Sequence, residues 1–598
     1  MAIKGTAKGV SFDQVPGELP KANVPNDVDI HRLSGETVAR LATLSEDDLT
    51  ECAVWRDFLS LTDYFRTLSS AKTIGNSYSK LAAERHAGEF KPLEKYNSTI
   101  RLGNTVSWID IGFAFKTHGK LTGNNAGVAS VVPDRGHPLG WKIWMLRTWL
   151  ENFEGHGHPD EYQPSFQNGV PLQGARSHTE HPTYDAIIVG AGQAGLSCAG
   201  RLKVLGCSYV VMEKNDHVGE NWTKRYDSLR WHTSKEYGNL PFDRTFLPDD
   251  DYMLTTKMIG SGFERWVKRF DIDVRLRTRV QTATWNDQAR RWTVITDGPD
   301  GQQSMYARNL VLACGAYANA PVSPVWPNRE LFKGTAMHSI DYKSAKPWAG
   351  KRGVVIGTAN TGHDVADDMF QAGFESVTMV QRGRTFVFPA EWLHAAQDRT
   401  YNMDMSAADA DRLGVTYPNK IMREMTNWHV FKSIDESPDR FDALERAGFK
   451  LDRKGDIYDN LYNRFGGHYV DIGTSARISN GEIKMVGEAV KEWTANGLRF
   501  EDGTEIEADL VVLCTGFEHD FRKVARGIIG DAADEMDDCF GIDGEGEVRG
   551  AFKFAGHPGL IYTGGDIRQC RWFGRFIALQ IQAEKLGAPM RPVIGDFS

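Results

Sequence analysis

At 598 residues the chain exceeds what one hydrophobic core usually supports, so two or three domains are expected. Hydrophobic residues at 41% and charged residues at 25% suit a globular enzyme, and no stretch reaches the roughly 18 apolar residues of a membrane span. A formal net charge of -9 weighs against a nucleic-acid partner, and seven cysteines without a C-x-x-C pair exclude a disulfide framework.

Residues 1–29 carry no signal-type apolar core and read as a flexible lead-in, which makes a cytoplasmic location the default. Residues 30–150 read as a small α+β domain. Within it Leu49–Leu68 spaces its apolar residues like a helix, Thr99–Phe115 alternates like a strand, and Gly127–Val132 and Trp141–Trp149 look like further strands. Residues 151–183, rich in Gly, Pro and His without apolar periodicity, read as a linker. Downstream the order strand, Gly turn, helix, strand occurs twice, from Tyr184 and from Gly353. That order predicts an α/β fold with two Rossmann-like dinucleotide-binding domains. The first covers 184–330 and 511–598, and the second, with a substrate-side insertion, covers 331–510.

The first Gly turn is G-x-G-x-x-G directly after a buried-strand run: Gly190 for the tight turn, Gly192 for approach of a pyrophosphate, Gly195 for helix packing. Glu213 ends the next strand, where a ribose-binding carboxylate is expected. The second turn keeps Gly357 and Gly362 but has Ala359 in the middle, followed by Asn360. Its second strand runs into Gln381-Arg382-Gly383-Arg384, cations where the first unit offers an acid. A 2′-phosphate suits Arg382 better than a free hydroxyl, so the first site reads as FAD and the second as NADP(H), with NAD(H) also open. No metal set is expected.

Arg308–Gly315 and Asp509–Phe517, the latter holding Thr515 and Gly516, are two strands of one design, each ending in a small-residue turn. They resemble the crossings between the nucleotide domains of flavoprotein oxidoreductases. Leu560–Asp566 resembles the motif in those proteins whose Asp, here Asp566, bonds the flavin's ribityl chain. The segment Phe332-Lys-Gly334-Thr-Ala-Met-His338-Ser-Ile-Asp-Tyr342-Lys343 matches F-x-G-x-x-x-H-x-x-x-[YF]-K, the pattern that identifies flavin-containing monooxygenases. In that resemblance His338 is a hinge residue or a satisfied structural histidine. Gly219-Glu-Asn-Trp222 and Tyr226–Glu236, with Thr233, resemble the family's flavin-contacting stretch, except that His232 stands where ordinary members carry Asn. Type II flavin-containing monooxygenases share that His and a long N-terminal extension. Residues 30–150 are similar to the cone-shaped nuclear transport factor 2-like fold, which implies either a cap or dimer support, hence a possible homodimer, or a stabilising appendage.

The resemblance implies a monooxygenase that uses NAD(P)H, FAD and O₂ to oxygenate a small organic substrate through a flavin C4a-(hydro)peroxide. Heteroatom oxidation and Baeyer–Villiger oxidation of a ketone both stay open, with His232 as the candidate catalytic residue. An NAD(P)H oxidase or reductase releasing H₂O₂, and a binding protein that has kept only FAD, are the alternatives. Trp392, His394, Trp428, Phe431 and Tyr462 are candidate pocket-lining residues, with core packing the other reading.

Overall fold

The computed structural model describes residues 9–162, 183–315, 320–554 and 556–591. Most of the expected linker, 163–182, and the first eight residues of the lead-in lie outside the described residues. Among the described residues no helix is long and apolar enough to cross a membrane.

The N-terminal sheet orders its strands Phe65–Ser69, Leu49–Phe58, Trp141–Phe153, Gly123–Pro133, Val106–Thr117 and Gly88–Pro92, with Ser98–Leu102 also paired to Val106–Thr117. A period of two sends Ile109, Ile111, Phe113 and Phe115 to one face. There they pack on Leu33 and Val38 of helix Ile30–Arg40 and on Ile74 and Leu81 of helix Ala71–Glu84. Trp108 turns the other way, toward Trp144 and Tyr417.

Two expectations fail here. Leu49–Leu68 is not a helix but a hairpin, Phe58 opposite Phe65, whose turn is held by the Asp57 carboxylate accepting from Ser60, Leu61 and Thr62. Its first strand is buried on both faces from Ala53 to Phe58, which removes the alternation that marks a strand and leaves spacing that imitates a helix. The lead-in is not loose from residue 9 onward. Phe12 is 1% exposed between Tyr458 and Tyr462, and Val10 N–H donates to the Ile542 carbonyl. Burying one such ring is worth about 1.5–3 kcal/mol, enough to pin the segment.

The first nucleotide-type sheet is built on β1 (Thr183–Val189), helix α1 (Gln193–Val204), β2 (Tyr209–Met212) and β3 (Gly301–Leu312). Its end, Leu310–Leu312, pairs in parallel with β1, so both faces of these strands are covered and their sequences are unbroken apolar runs. The second sheet holds β4 (Thr335–His338), β5 (Arg352–Ile356), helix α2 (Asn360–Gln371), β6 (Ser376–Val380) and β7 (Leu510–Leu513). Its order is β4, β7, β5, β6 and Lys484–Val486, all parallel. The chain then returns to the first sheet with β8 (Leu560–Tyr562) beside β3 and with helix α3 (Ile567–Lys585). The two crossings lie side by side: Val322 N–H donates to the Gly516 carbonyl and Glu518 N–H to the Ala320 carbonyl.

Buried ions join the three systems. Arg56 of the N-terminal sheet pairs with Glu547 at 2.7 Å, Arg147 with Asp110 at 2.7 Å, and Arg571 of α3 with Asp411 at 2.6 Å. Glu151 and Asp160 receive Arg412 and Arg575, and Asp160 also receives Arg201 of α1. Burial pushes the Glu151 carboxyl up, and Arg412 and Arg575 more than offset it, holding it well below the usual carboxylate range. Deleting one member strands a buried charge at a cost of about 3–5 kcal/mol.

Candidate functional site

Gly190 has φ +109°, and a Cβ there would lie 2.6 Å from the Ala313 carbonyl oxygen of the crossing that closes over it. A Cβ on Gly195 would lie 1.9 Å from the Gly190 carbonyl oxygen, so α1 can approach β1 this closely only with glycine. Above Gly192 the nearest atom to such a Cβ is Asn221 Nδ2 at 4.0 Å, and no side chain caps α1. The helix N–H groups are thereby left to an anion arriving through that space.

Glu213 Oε2 accepts from Ala191 N–H at 2.8 Å, and Oε1 accepts from Asn215 N–H and Nδ2. Asp566 is the N-cap of α3, accepting from Gln569 N–H at 2.7 Å, while its other oxygen accepts from Tyr237 O–H at 2.8 Å. Around this loop Gln193 Oε1, Trp222 Nε1 and Thr563 Oγ1 are buried with no hydrogen-bond partner among the described residues. Open space over glycine, an uncapped helix and unsatisfied buried polar atoms together fit a dinucleotide.

The second loop repeats the plan: φ +117° at Gly357 under Cys514, and a Cβ on Gly362 only 2.1 Å from the Gly357 carbonyl oxygen. Ala359 takes φ -87°, ψ -175°, against φ -81°, ψ -175° for Gly192, so the extra methyl costs no backbone strain. Asn360 opens α2 and its Oδ1 accepts from Val470 N–H at 2.8 Å. At the end of β6, Gln381 is buried, and Arg382 is exposed without an ion pair among the described residues.

His232 joins the two units. Its side chain is 9% exposed, Nε2 is 3.2 Å from Asp364 Oδ1 on α2, and Nδ1 is buried without a hydrogen-bond partner among the described residues. Its carbonyl accepts from His394 Nε2 at 2.8 Å. Tyr226 O–H donates to the other Asp364 oxygen at 2.7 Å. Beside them His363 stacks on Tyr469 at 3.6 Å, and burial pushes both His363 and His468 down to about 4, so both are neutral near pH 7. Trp222 meets Trp231 edge to face at 5.2 Å, and Thr233 is half-buried next in the chain.

The identifying segment forms the edge of the second sheet. Phe332 packs on Trp493 at 5.1 Å, and a Cβ on Gly334 would meet that ring at 2.5 Å. His338 ends β4 facing Phe517 at 5.4 Å, next to Thr515 and Gly516; Thr515 O–H donates to the Val322 carbonyl. Burial lowers the His338 pKa. Tyr342 O–H donates to Asp368 of α2, and the Lys343 carbonyl accepts from Asp227 N–H. These contacts tie the crossing to both units.

Of the lining candidates only His394 reaches the His232 neighbourhood. Trp392 packs on Phe388 and Phe441, Trp428 lies against Gly103 of the N-terminal sheet, Phe431 packs on the core of the second unit, and Tyr462 stacks on Tyr458. Sequence reasoning missed Asp364, His468 and Tyr469, and named Tyr226 only as part of the flavin-contacting stretch. Asp364, the fifth residue of its helix, reads in the string as an ordinary polar position, and nothing there shows which distant side chain it meets.

A family profile described as "Pyridine nucleotide-disulphide oxidoreductase" matches residues 187–405. No two of the seven cysteines stand in the C-x-x-C relation of a redox-active pair. Indole-3-pyruvate monooxygenase YUCCA1 of Oryza sativa subsp. japonica is 30% identical over 382 residues, 63% of this chain and 86% of the relative. Probable indole-3-pyruvate monooxygenase YUCCA9 of Arabidopsis thaliana is 30% identical, covering 55% of this chain and 74% of its own. Among solved structures, cyclohexanone monooxygenase from Rhodococcus sp. Phi1 bound to NADP+ is 20% identical with TM-score 0.47, over 68% of this chain and 85% of that one. The flavin-containing monooxygenase from Stenotrophomonas maltophilia is 18% identical with TM-score 0.46, over 68% and 99%. Similarity at 30% over most of a curated monooxygenase, on a chain with two glycine loops in doubly wound sheets, shows the family: the chain belongs to the class B flavoprotein monooxygenases.

Proposed function

We propose that the chain holds FAD on the first glycine loop and NADP(H) on the second, and oxygenates a small organic substrate where the two units meet. The space over Gly192 and the buried Glu213 suit the pyrophosphate and ribose of FAD. Arg382, exposed and unpaired among the described residues, matches a 2′-phosphate, which favours NADPH over NADH. When bound, the flavin supplies two-electron transfer from the nicotinamide and the activation of O₂.

The protein's share is positioning, dryness and one movable proton. Glycine loops bring backbone N–H groups to the phosphates, and the crossings around His338 and Gly516 set how the units face each other. His232 offers Nδ1, in a buried setting, as the group that accepts a hydrogen bond, and with it a proton, from a hydroxyl at the oxygen being transferred. The buried Nδ1 beside the second unit's helix, unpartnered among the described residues, carries this assignment.

Counting NADPH consumed, O₂ taken up, H₂O₂ released and product formed over a panel of ketones and sulfides tests it. Product accounting for most of the NADPH with one class is the expected result, and that class names the chemistry. If H₂O₂ accounts for all NADPH with every compound, the chain is an oxidase. His232→Ala should raise the H₂O₂ share roughly tenfold or more at little cost in flavin content.

A further inference from the structure

The carboxylate of Asp364 belongs to the second unit, yet both its hydrogen bonds go to the flavin-contacting stretch that follows the first. Oδ1 meets His232 Nε2 at 3.2 Å and Oδ2 receives Tyr226 O–H at 2.7 Å, with the Asp364 side chain 6% exposed. An ionised carboxylate only accepts, so the proton of a neutral His232 is on Nε2, and Nδ1 is left as an acceptor. The backbone of His232 is held separately by His394. His363 and His468, the other imidazoles packed nearby, are kept neutral by burial, and Asp471 is engaged with Arg440 at 2.8 Å. Among the described residues no carboxylate but Asp364 pairs with His232.

We infer that Asp364 is a positioning residue: it fixes the His232 tautomer from across the boundary between units, so Nδ1 is presented as a bare acceptor only when the second unit is docked. This rests on His232 acting in the oxygenation, but its test does not. Tyr226 keeps the carboxylate from rotating, since one oxygen is committed to it before His232 takes the other.

The test is the imidazole nitrogen NMR spectrum of the flavin-loaded, oxidised protein labelled with ¹⁵N-histidine, His232 being assigned by the signals lost in His232→Asn. A spectrum with Nε2 protonated and Nδ1 bare is expected. In Asp364→Asn that pattern should collapse to a mixture or to the other tautomer, and product formed per NADPH should fall roughly tenfold or more. KM for NADPH should barely move, because the loop itself is intact. Tyr226→Phe removes the other hydrogen bond at the same place and should leave His232 protonated on Nε2. Placing Asp364→Asn in the His232→Asn background should give no further loss of coupling.

An unchanged His232 spectrum in Asp364→Asn overturns the inference, as does a further coupling loss in the double variant. Should Asp364→Asn fail to retain flavin, Asp364→Glu decides: with a carboxylate retained it must keep Nε2 protonated, and any other spectrum overturns the assignment. A shifted tautomer in Asp364→Asn, with coupling intact in His232→Asn, would leave Asp364 as positioner and remove the catalytic role of His232.

Discussion

Counted from the first glycine, the two nucleotide loops keep one spacing as far as Gly195 and Gly362, and then one continues Leu196-Ser197 and the other His363-Asp364. Ser197 is fully buried where α3 crosses α1, so close that a Cβ on Gly574 would stand 3.4 Å from its own. At the matching place on α2, the Tyr226 hydroxyl and the His232 ring come in and are met by a carboxylate. One loop helix is therefore seated by close packing, the other by two hydrogen bonds. Close packing resists any shift, because each lost contact forfeits dispersion, whereas a polar joint breaks and re-forms at about 1–3 kcal/mol per bond. A shared fold thus gives a fixed floor in one unit and a responsive joint in the other.

The comparison predicts equal tightness at the third glycine. Gly195→Ala and Gly362→Ala each put a methyl within 1.9 and 2.1 Å of a carbonyl oxygen, and each should cost about 3 kcal/mol or more, read by urea denaturation. A tolerated Gly362→Ala would break the symmetry at its base. His363→Leu, the first unit's residue, sharpens the contrast through pH. An unfolded His takes up its proton near about 6.5, while burial holds His363 at about 4. Stability is therefore full above about pH 6.5 and is lost as pH falls toward 4, by up to about 1.4 kcal/mol per pH unit. The variant should flatten that slope in the Tm profile.

Arg382→Gln should raise KM for NADPH about ten- to hundredfold and leave NADH almost unchanged, as expected for one lost charged hydrogen bond. Equal effects on both nucleotides would move 2′-phosphate recognition elsewhere. The smallest effect belongs to Ala359→Gly. With backbone angles already like those of Gly192, it should cost under about 1 kcal/mol of stability, from the freer unfolded chain, and lower KM for NADPH modestly.

Local chemistry made both glycine loops legible in the string, since Gly190, Gly195, Gly357 and Gly362 are demanded by turns and close approaches within a few residues of themselves. Alternation made Thr99–Phe115 legible as extended chain, but not its division into Ser98–Leu102 and Val106–Thr117, which pair antiparallel. The hairpin at Leu49–Leu68 was not, because a strand buried on both faces loses its period. Nor was the fastening of residues 9–29, whose anchor Phe12 finds its partners at Tyr458 and Tyr462, far along the chain. His232 was visible as an unusual residue in a family stretch, but its partner Asp364 was not: a pairing across 132 positions is decided by how two units dock.

The buried ions around the N-terminal sheet bear on how such an enzyme can be recombined. Arg147 is matched to Asp110 within the sheet and also lies over the Tyr417 ring, 3.9 Å from its centre, while Arg56 reaches out to Glu547. The insertion that carries Tyr417 also runs on through His468 and Tyr469, beside His232. An insertion transplanted from a relative without this extension would take from Arg147 the Tyr417 ring and the Thr416 hydroxyl, and from Arg56 the Val415 and Tyr417 carbonyls, leaving each buried guanidinium its carboxylate alone. Successful chimeras should be those that carry the extension and the insertion together, inherited as one cassette although hundreds of residues separate their ends.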